Sequence, residues 1–216
     1  MIKLAAFFGN PGTKYAQNRH NAGRMLATAL PFYQTLSWQK KYKGIYSVYD
    51  NIHFIMPETY MNLSGESVFA VASFYKIQME EIIVVHDELE LPLGAVSLKF
   101  AGGLGGHNGL RSMKNCFGNA DCWRIRIGIG RPGSRLPGEG GPPVNANPEI
   151  TDWVLSNFTK PEEELLIPTL ELGTNLLMQT FSCDPQTLLK EWAKKKIAIP
   201  EKPENANNSE AQEANQ

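Results

Sequence analysis

The fold is decided by the stretch IIVVHDE, residues 82–88. Its first four residues are apolar and β-branched, a run typical of a strand that is buried on both faces of a parallel sheet. Open α/β sheets bind their ligands beyond the carboxyl ends of such strands. The sequence therefore predicts an α/β protein in which His86, Asp87 and Glu88 lie at the mouth of a ligand site.

The flanking sequence alternates short apolar runs with helix-length amphipathic segments, separated by Gly, Pro and Asn. We expect a single domain over residues 1–199, with a mixed, mostly parallel twisted sheet flanked by helices. Ser64 is predicted to cap a helix, and Arg124 and Arg126 to share one face of a strand. The predicted strands are 2–8, 95–100, 123–129 and a hairpin of 46–49 with 52–56; the predicted helices are 21–30, 64–76, 110–116, 161–181 with a kink at Pro168, and 184–196.

Composition limits the location and the partners. Residues 200–216 contain no aromatic residue and no Val, Ile or Leu, so we expect a disordered polar tail there. The formal charge of the whole chain is −1, and the tail holds more acids than bases, so the remainder is slightly basic and permits an anionic partner. The three cysteines form no CxxC pair, and no signal peptide or membrane span is evident. These features favour a cytoplasmic protein that does not bind membranes.

Spacing disfavours several common site types. Residues 102–109 are glycine-rich but lack the Gly-Lys-Ser/Thr ending of a triphosphate loop, and the GxGxxG at 128–133 is followed by no predicted helix. The histidines show no HxxxH, HxH or HExxH spacing, so we expect no metal. GxSxG is absent, and the cysteines have no evident base partner. A metal centre and a covalent nucleophile are therefore both disfavoured.

What remains is a set of polar side chains in loops or at element ends beside Gly or Pro. A single asparagine in such a place is typical of a turn, and residues 102–109 also fit a plain tight loop. Several amides around one histidine nevertheless suit neutral ester hydrolysis, because amides donate to an oxyanion while the histidine takes a proton from water. We predict His20 as this base, with Asp87 fixing its tautomer. The set comprises Asn10, His20, Asn21, Asn62, Asp87 and Asn108.

Six segments, in order along the chain, resemble the bacterial-type peptidyl-tRNA hydrolase family. They are GNPG at 9–12, residues 13–23 with Tyr15 and RHNAG, PETYMNLSG at 57–65, HDELELP at 86–92, residues 102–110 and residues 123–132. One departure is visible, because the family usually has glycine where Phe7 stands, at the end of the first strand. This difference is expected to alter packing beneath the site.

The resemblance implies hydrolysis of the ester that joins a peptide to the 3′-terminal ribose of tRNA, without metal or other cofactor. His20 would be the general base, Asp87 would stabilise its protonated form, and Asn10 would distinguish the peptide-bearing substrate from free aminoacyl-tRNA. The residues expected to contact or support the 3′ end or the peptide are Tyr15, Tyr60, Asn62, Asn108, Asn21 and His107.

The resemblance also implies that tRNA phosphates of the acceptor stem are held by Lys99 and by the strand arginines Arg124 and Arg126. From spacing alone, the arginine pair fits a solvated strand face equally well. The family pattern further implies a monomer. The residues themselves leave three hypotheses open: a metal-free RNA-linked esterase, a metal-dependent peptidase that uses His20, His86 or His107, and an RNA-binding module without catalysis.

Overall fold

The computed structural model describes residues 1–134 and 149–197, which form one eight-stranded sheet flanked by six α-helices. The predicted tail at 200–216 and most of the Gly/Pro-rich loop at 132–148 lie outside these residues. The strands are β1 Leu4–Phe7, β2 Gln39–Lys41, β3 Gly44–Tyr49, β4 Ile52–Pro57, β5 Ile82–Glu88, β6 Ala95–Phe100, β7 Trp123–Gly128 and β8 Lys195–Lys196. The helices are α1 Ala22–Thr28, α2 Ser64–Tyr75, α3 Asn108–Phe117, α4 Ile150–Leu155, α5 Lys160–Ser182 and α6 Pro185–Leu188.

The sheet is mixed, with the strand order β2-β3-β4-β1-β5-β7-β6-β8. The four central strands β4, β1, β5 and β7 are parallel, whereas the pairs toward both edges are antiparallel. The predicted mixed α/β sheet is confirmed, with a smaller parallel share than expected, three of the seven described strand pairs. Parallel pairing is confined to the centre because β2, β3 and β4 follow one another as antiparallel neighbours joined by short turns.

Helices cover both faces of the central strands, which explains the continuous apolar run in β5. On one face Leu26 of α1 and Leu176 and Leu177 of α5 belong to the same buried apolar layer as Val85. On the other, α2 and α3 contribute the buried side chains Val68, Val71, Leu110 and Met113 around Leu4, Ala6 and Val84. Each such aliphatic side chain contributes about 1.5–3 kcal/mol when it leaves water. This burial holds the carboxyl end of β5 rigidly at one edge of the sheet.

Phe7, which stands where the resembling family has glycine, is fully buried at the end of β1. Its ring is stacked on that of Phe54 in β4, with 6.1 Å between the ring centroids. Both rings belong to the apolar layer beneath α1 and α5, and the next side chain, Phe8, enters the opposite layer. The larger residue is therefore accommodated by an aromatic pair between neighbouring strands.

Several element ends differ from the sequence prediction. Ser64 is the first residue of α2 and makes no capping hydrogen bond to its backbone. Helix α3 begins at Asn108. Its N-cap is the His107 side chain, and not a Ser, Thr, Asp or Asn residue. The predicted helix over 184–196 is only α6, after which β8 pairs with β6. Helix α5 continues through Pro168 without a break, with buried Leu166 and Thr169 on either side.

In the part of the chain that the structure describes, no helix combines the length and the apolar character needed to cross a membrane.

Candidate active site

A cavity of about 890 Å³ opens at the carboxyl ends of the parallel strands, where residues 82–88 predict a ligand site. His20 and helix α4 form one side of it. The other lining segments are Asn10 after β1, residues 60–62 after β4, residues 86–90 at the end of β5, and residues 103–108 leading into α3. The topology therefore brings together loops that are far apart in sequence.

The Asp87 carboxylate lies between two imidazoles at the edge of this cavity. Nδ1 of His20 is 2.9 and 3.0 Å from the two carboxylate oxygens, and Nε2 of His107 is 3.0 Å from Oδ1. His20 and Asp87 are buried. The structure thus brings together the two residues predicted as base and carboxylate partner. It also places His107, expected to contact the substrate, on the same carboxylate.

The hydrogen bonds determine which nitrogen atoms carry protons. Nδ1 of His107 accepts the backbone N–H of Gly109 at 3.1 Å, so the proton of the neutral ring is on Nε2, which donates to Asp87. His107 therefore has both nitrogens engaged within the protein. Nδ1 of His20 faces the carboxylate and donates to it, which leaves the Nε2 lone pair with no hydrogen-bond donor among the described residues. His20 has the tautomer that a general base requires.

Burial and charge act in opposite directions on these groups. Burial lowers the pKa of His20, but the Asp87 carboxylate outweighs it, so the pKa is raised above the usual 6.5. Burial alone would raise the pKa of Asp87, yet the adjacent His20 and His107 rings hold that pKa well below 3.8. At neutral pH Asp87 is therefore charged, and His20 binds a proton more readily than an ordinary histidine does.

One potential ligand atom from each of His20, Asp87 and His107 lies within 4.8 Å of the other two, a spacing that metal ligands can have. Their contacts are nevertheless hydrogen bonds, because both facing nitrogens carry protons and lie 2.9–3.0 Å from the carboxylate oxygens. A tetrahedral ion at about 2.1 Å from each ligand would separate the ligand atoms to about 3.4 Å and displace both protons. The geometry fits an acid–base group better than a metal centre.

Asn10 is held in place by two neighbours. Both polar atoms of the Asn21 side chain bond the backbone of Asn10, each at 2.9 Å, and the Asn10 Oδ1 accepts the backbone N–H of Met61 at 2.8 Å. This contact fixes the orientation of the Asn10 amide, whose Nδ2 makes no hydrogen bond among the described residues and is available to a ligand in the cavity. Asn21 is buried and does not line the cavity, so its side chain acts on the Asn10 backbone and not on the cavity directly.

The remaining predicted contact residues are distributed around the opening. Asn62, Asn108 and Tyr60 line the cavity, and Tyr60 is exposed over 59% of its surface. Tyr15 lies outside the lining, with its ring edge-on to that of Tyr60 at 6.3 Å. The Asn108 Oδ1 accepts a hydrogen bond from Arg111 at 3.1 Å, which turns the amide nitrogen of Asn108 away from that arginine.

Cationic side chains form another wall of the cavity, on the side of β6 and β7. Lys99 has no carboxylate partner within the described ranges, and Arg126 contacts Glu88 at 3.3 Å and Ser97 Oγ at 2.8 Å. Arg124 is buried, and its guanidinium donates to three backbone carbonyls. Lys99, Arg124 and Arg126 all line this wall, but Arg124 is buried and does not lie on a solvated strand face.

Two residues that position His20 were not predicted individually. The preceding Arg19 is buried, its guanidinium stacks on Trp153 at 3.7 Å, and its terminal nitrogen pairs with Glu162 at 2.7 Å. Asn18 donates to Asn157 Oδ1 at 2.8 Å. These contacts fix the 3₁₀ turn that carries His20 against the segment containing α4. The sequence offers no local signal for them, because the partners are more than 130 residues away.

Comparisons with known proteins show the family to which this chain belongs. The family model described as peptidyl-tRNA hydrolase matches residues 4–200. A peptidyl-tRNA hydrolase from Treponema pallidum (strain Nichols) is 44% identical over 207 residues, which cover 91% of this chain and 96% of that protein. A solved peptidyl-tRNA hydrolase in complex with N-propanol has a TM-score of 0.78 and 31% identity over 91% of this chain and 97% of its own. The Acinetobacter baumannii peptidyl-tRNA hydrolase has a TM-score of 0.73 and 31% identity, covering 89% of this chain and 94% of its own. The chain belongs to the peptidyl-tRNA hydrolase family.

Proposed function

We propose that this chain hydrolyses the ester between the peptide and the 3′-terminal ribose of peptidyl-tRNA, with His20 as the general base. One observation carries the proposal: Nδ1 of His20 is bound to the buried Asp87 carboxylate, which leaves Nε2 as a base in a cavity lined by amides. The products are free tRNA and a free peptide. When a nascent peptide chain has stalled or left the ribosome, the reaction would free its tRNA for further use in translation.

The chemistry follows from the tautomer of His20. Nε2 takes a proton from water as the water oxygen attacks the ester carbonyl carbon, and the Asp87 carboxylate stabilises the imidazolium that forms. The amide nitrogen of Asn62 or Asn108 donates to the resulting oxyanion. When the tetrahedral intermediate collapses, the bond to the ribose 3′ oxygen breaks, and that oxygen receives the proton from His20. His20 is then ready for the next cycle.

Asn10 supplies a physical basis for discriminating against free aminoacyl-tRNA. The hydrogen bond from the Met61 N–H to its Oδ1 fixes the amide, so that Nδ2, which can only donate, is available to the substrate. A blocked amino group brings a peptide carbonyl, which accepts such a bond. A free α-ammonium group has donors alone, so it would leave the Asn10 donor unpaired in a buried site at a cost of about 1–3 kcal/mol. Asn10→Ala should therefore reduce discrimination between the two substrates.

Lys99 and Arg126 would bind phosphates of the acceptor stem next to the 3′ end. Both line the cationic wall on the β6 and β7 side of the cavity. Lys99→Ala or Arg126→Ala should raise KM while leaving kcat nearly unchanged, and should reduce the slope of log affinity against log salt by about one. We expect the enzyme to act as a cytoplasmic monomer, which sedimentation in the presence and absence of tRNA can test.

The decisive experiment is hydrolysis of N-acetylated aminoacyl-tRNA, with free aminoacyl-tRNA as the substrate control. Activity should survive a chelator and fall by about 10²–10⁴-fold in His20→Ala. His53→Ala is the matched control, since His53 bonds Tyr46 and does not line the cavity, and this variant should keep its activity. Loss of activity on chelation would favour a metal-dependent hydrolase. Binding of tRNA without any hydrolysis would favour an RNA-binding module.

A further inference from the structure

The terminal nitrogens of Arg124 donate hydrogen bonds to the protein's own backbone. Its side chain is buried, with 2% of its residue surface exposed, and it donates to the carbonyls of Gly103 at 2.7 Å, Gly102 at 3.2 Å and Ala120 at 2.8 Å. Its Nε is buried and has no hydrogen-bond partner among the described residues. No carboxylate pairs with it within residues 1–134 and 149–197. Among the described residues, its guanidinium thus has three backbone carbonyl oxygens as hydrogen-bond acceptors.

The segment that Arg124 holds is conformationally unusual. Ala101 has φ 54° and Gly102 has φ 92°, and Gly105 and Gly106 again have positive φ. For Ala101 such a backbone costs on the order of 1 kcal/mol or more, which contacts elsewhere must offset. A chain that turns in this way leaves carbonyls outside any regular pattern of hydrogen bonds. The planar guanidinium of Arg124 donates to two consecutive carbonyls of this segment and to the carbonyl of Ala120, and so links the segment to Ala120.

The far end of the same segment carries two groups of the active site. His107 follows Gly106 directly and donates to Asp87, and Asn108 lines the cavity. Arg124 therefore fixes residues 102–103 at one end, and the His107–Asp87 bond fixes the other end. Any displacement of the Gly102 and Gly103 carbonyls would be transmitted through three residues to His107.

We propose that Arg124 is a positioning residue that holds the 101–106 segment so that His107 and Asn108 meet Asp87 and the ester, and that it is not a phosphate ligand. This inference rests on the proposed function of that site. Lys99 and Arg126 carry the phosphate contacts, although Arg124 is paired in register with Lys99 across β6 and β7. Neighbouring cations on one sheet face thus have different roles, set by what their donors bind: Arg124 binds three backbone carbonyls, whereas Arg126 binds the side chains of Glu88 and Ser97.

The test compares Arg124→Lys with Arg126→Lys. An ammonium group cannot reach three carbonyls with the geometry of a guanidinium fork, so the segment should shift while the charge is kept. We expect kcat to fall about 10–100-fold in Arg124→Lys, with KM and the salt dependence of KM unchanged. Arg126→Lys should change KM and leave kcat nearly intact. A raised KM with a reduced salt slope and intact kcat in Arg124→Lys would overturn the proposal, as would no change in either constant.

Hydrogen exchange separates positioning from general destabilisation, and from failure of the proposed function. Backbone amides of residues 101–108 should exchange at least tenfold faster in Arg124→Lys, whether or not the enzyme hydrolyses ester. Leu177→Ala, a buried substitution in α5, is the matched control: it should lower the melting temperature without faster exchange confined to 101–108. Unchanged exchange in that segment would overturn the proposal even if kcat fell.

If Arg124→Lys does not fold, a measurement on the unmodified enzyme distinguishes a positioning role of Arg124 from a role as phosphate ligand. With ¹⁵N-labelled arginine, the guanidinium signals of Arg126 should shift on addition of an RNA hairpin that reproduces the acceptor stem and 3′ end. The Arg124 signals should stay in place, and its bonded N–H groups should exchange slowly before and after RNA is added. An Arg124 shift as large as that of Arg126 would identify a phosphate ligand and refute the positioning role.

Discussion

Two imidazoles share the Asp87 carboxylate, and this sharing sets the acid–base properties of His20. Because Asp87 outweighs the effect of burial, the pKa of His20 is raised, and its imidazole becomes protonated at a higher pH than that of an ordinary histidine. His107 donates to the same carboxylate, so it fixes the orientation of Asp87. The protonation state of His20 therefore depends on a carboxylate whose own position depends on helix α3.

Asp87→Asn should lower kcat by about 10²–10⁴-fold at neutral pH and change substrate binding little. An amide at this position would donate to Nδ1 of His20 and so move the imidazole proton to Nε2, which is the wrong tautomer for a base. It also removes the charge that raises the pKa of His20, so the acid limb of the residual activity should move to lower pH. The measurement is kcat/KM against pH, together with the affinity for tRNA.

Asp50→Asn, at the exposed turn between β3 and β4, is the matched control and should leave the pH profile unchanged. An equal loss of tRNA affinity and of kcat in Asp87→Asn would contradict the assignment of Asp87 to the orientation of His20.

His86 gives a second pH prediction, this time for stability. Burial, the neighbouring His107 and Arg124 together lower the pKa of His86 well below 6.5. A group whose pKa is depressed by folding contributes stability that is present above the unfolded value and lost as the pH falls toward the folded value. The wild-type protein should therefore lose stability below about pH 6.5, by at most about 1.4 kcal/mol per pH unit for this group.

His86→Phe should remove this loss, so that the free energy of unfolding of the variant, relative to wild type, rises as the pH falls from 6.5. Urea titrations at a series of pH values measure the difference. His53→Phe is the comparison, because His53 is only partly buried and its pKa is lowered less. A constant difference between His86→Phe and wild type across that pH range would show that His86 does not titrate in this way.

At the residue scale, the sequence identified which side chains meet but not all of what they do. His20, Asp87 and Asn10 were predictable because each lies near a turn or near the end of a strand. The structure puts Asn21 on the backbone of Asn10, His107 on Asp87 and Arg124 on loop carbonyls. These assignments depend on tertiary contacts that leave no pattern in the local sequence, so a polar residue near a site was interpreted as a ligand contact.

At the scale of elements, helices α2 and α3 approach so closely at Gly65 that a side chain does not fit. A Cβ on Gly65 would lie 2.4 Å from backbone atoms of Ser112, and the Gly65 N–H bonds the Ser112 hydroxyl at 2.9 Å. This contact ties the loop that carries Asn62 to the helix that carries Asn108. Gly65 therefore sets the spacing between two sides of the cavity.

Gly65→Ala should destabilise the protein by about 1–3 kcal/mol, since overpacking against backbone cannot be relieved by rotating a side chain. Gly103→Ala is the matched control, with nothing within 4 Å of the added Cβ and no positive φ, and should change stability by less than about 0.5 kcal/mol. Thermal and urea unfolding measure both variants. A Gly65→Ala protein as stable as wild type would mean that the two helices can separate without cost.

Element types were predictable where a segment is long or strongly periodic, as in β5, β7, α2 and α5. The first and last residues of the elements were less predictable. An imidazole cap on α3 and the short edge strand β8 have no strong sequence signal, because β8 exists only through its pairing with β6. The parallel share of the sheet was overestimated because strand order depends on which strands meet in space, whereas periodicity reports only whether a strand is buried.

At the scale of the whole molecule, the site depends on both layers of helices. His20 precedes α1 on one face of the sheet, whereas His107 and Asn108 lie at the start of α3 on the other, and Asp87 joins them from β5 between the layers. Separation of either layer from the sheet would thus break the acid–base group.

We predict that the chain unfolds as one cooperative unit, because β1 and β5 contribute side chains to both apolar layers and neither layer can be exposed alone. The four tryptophans, Trp38, Trp123, Trp153 and Trp192, all lie in or against the apolar layer beneath α1 and α5, so their fluorescence reports on that layer, whereas circular dichroism and activity depend on both layers. Urea transitions followed by tryptophan fluorescence and by far-ultraviolet circular dichroism should coincide in midpoint and slope, and enzymatic activity should be lost in the same transition.

Leu177→Ala in one layer and Val71→Ala in the other should each shift all three curves together, by about 2–5 kcal/mol for the leucine and less for the valine. A variant that moves the fluorescence curve but leaves the loss of activity in place would instead reveal two separately folding layers.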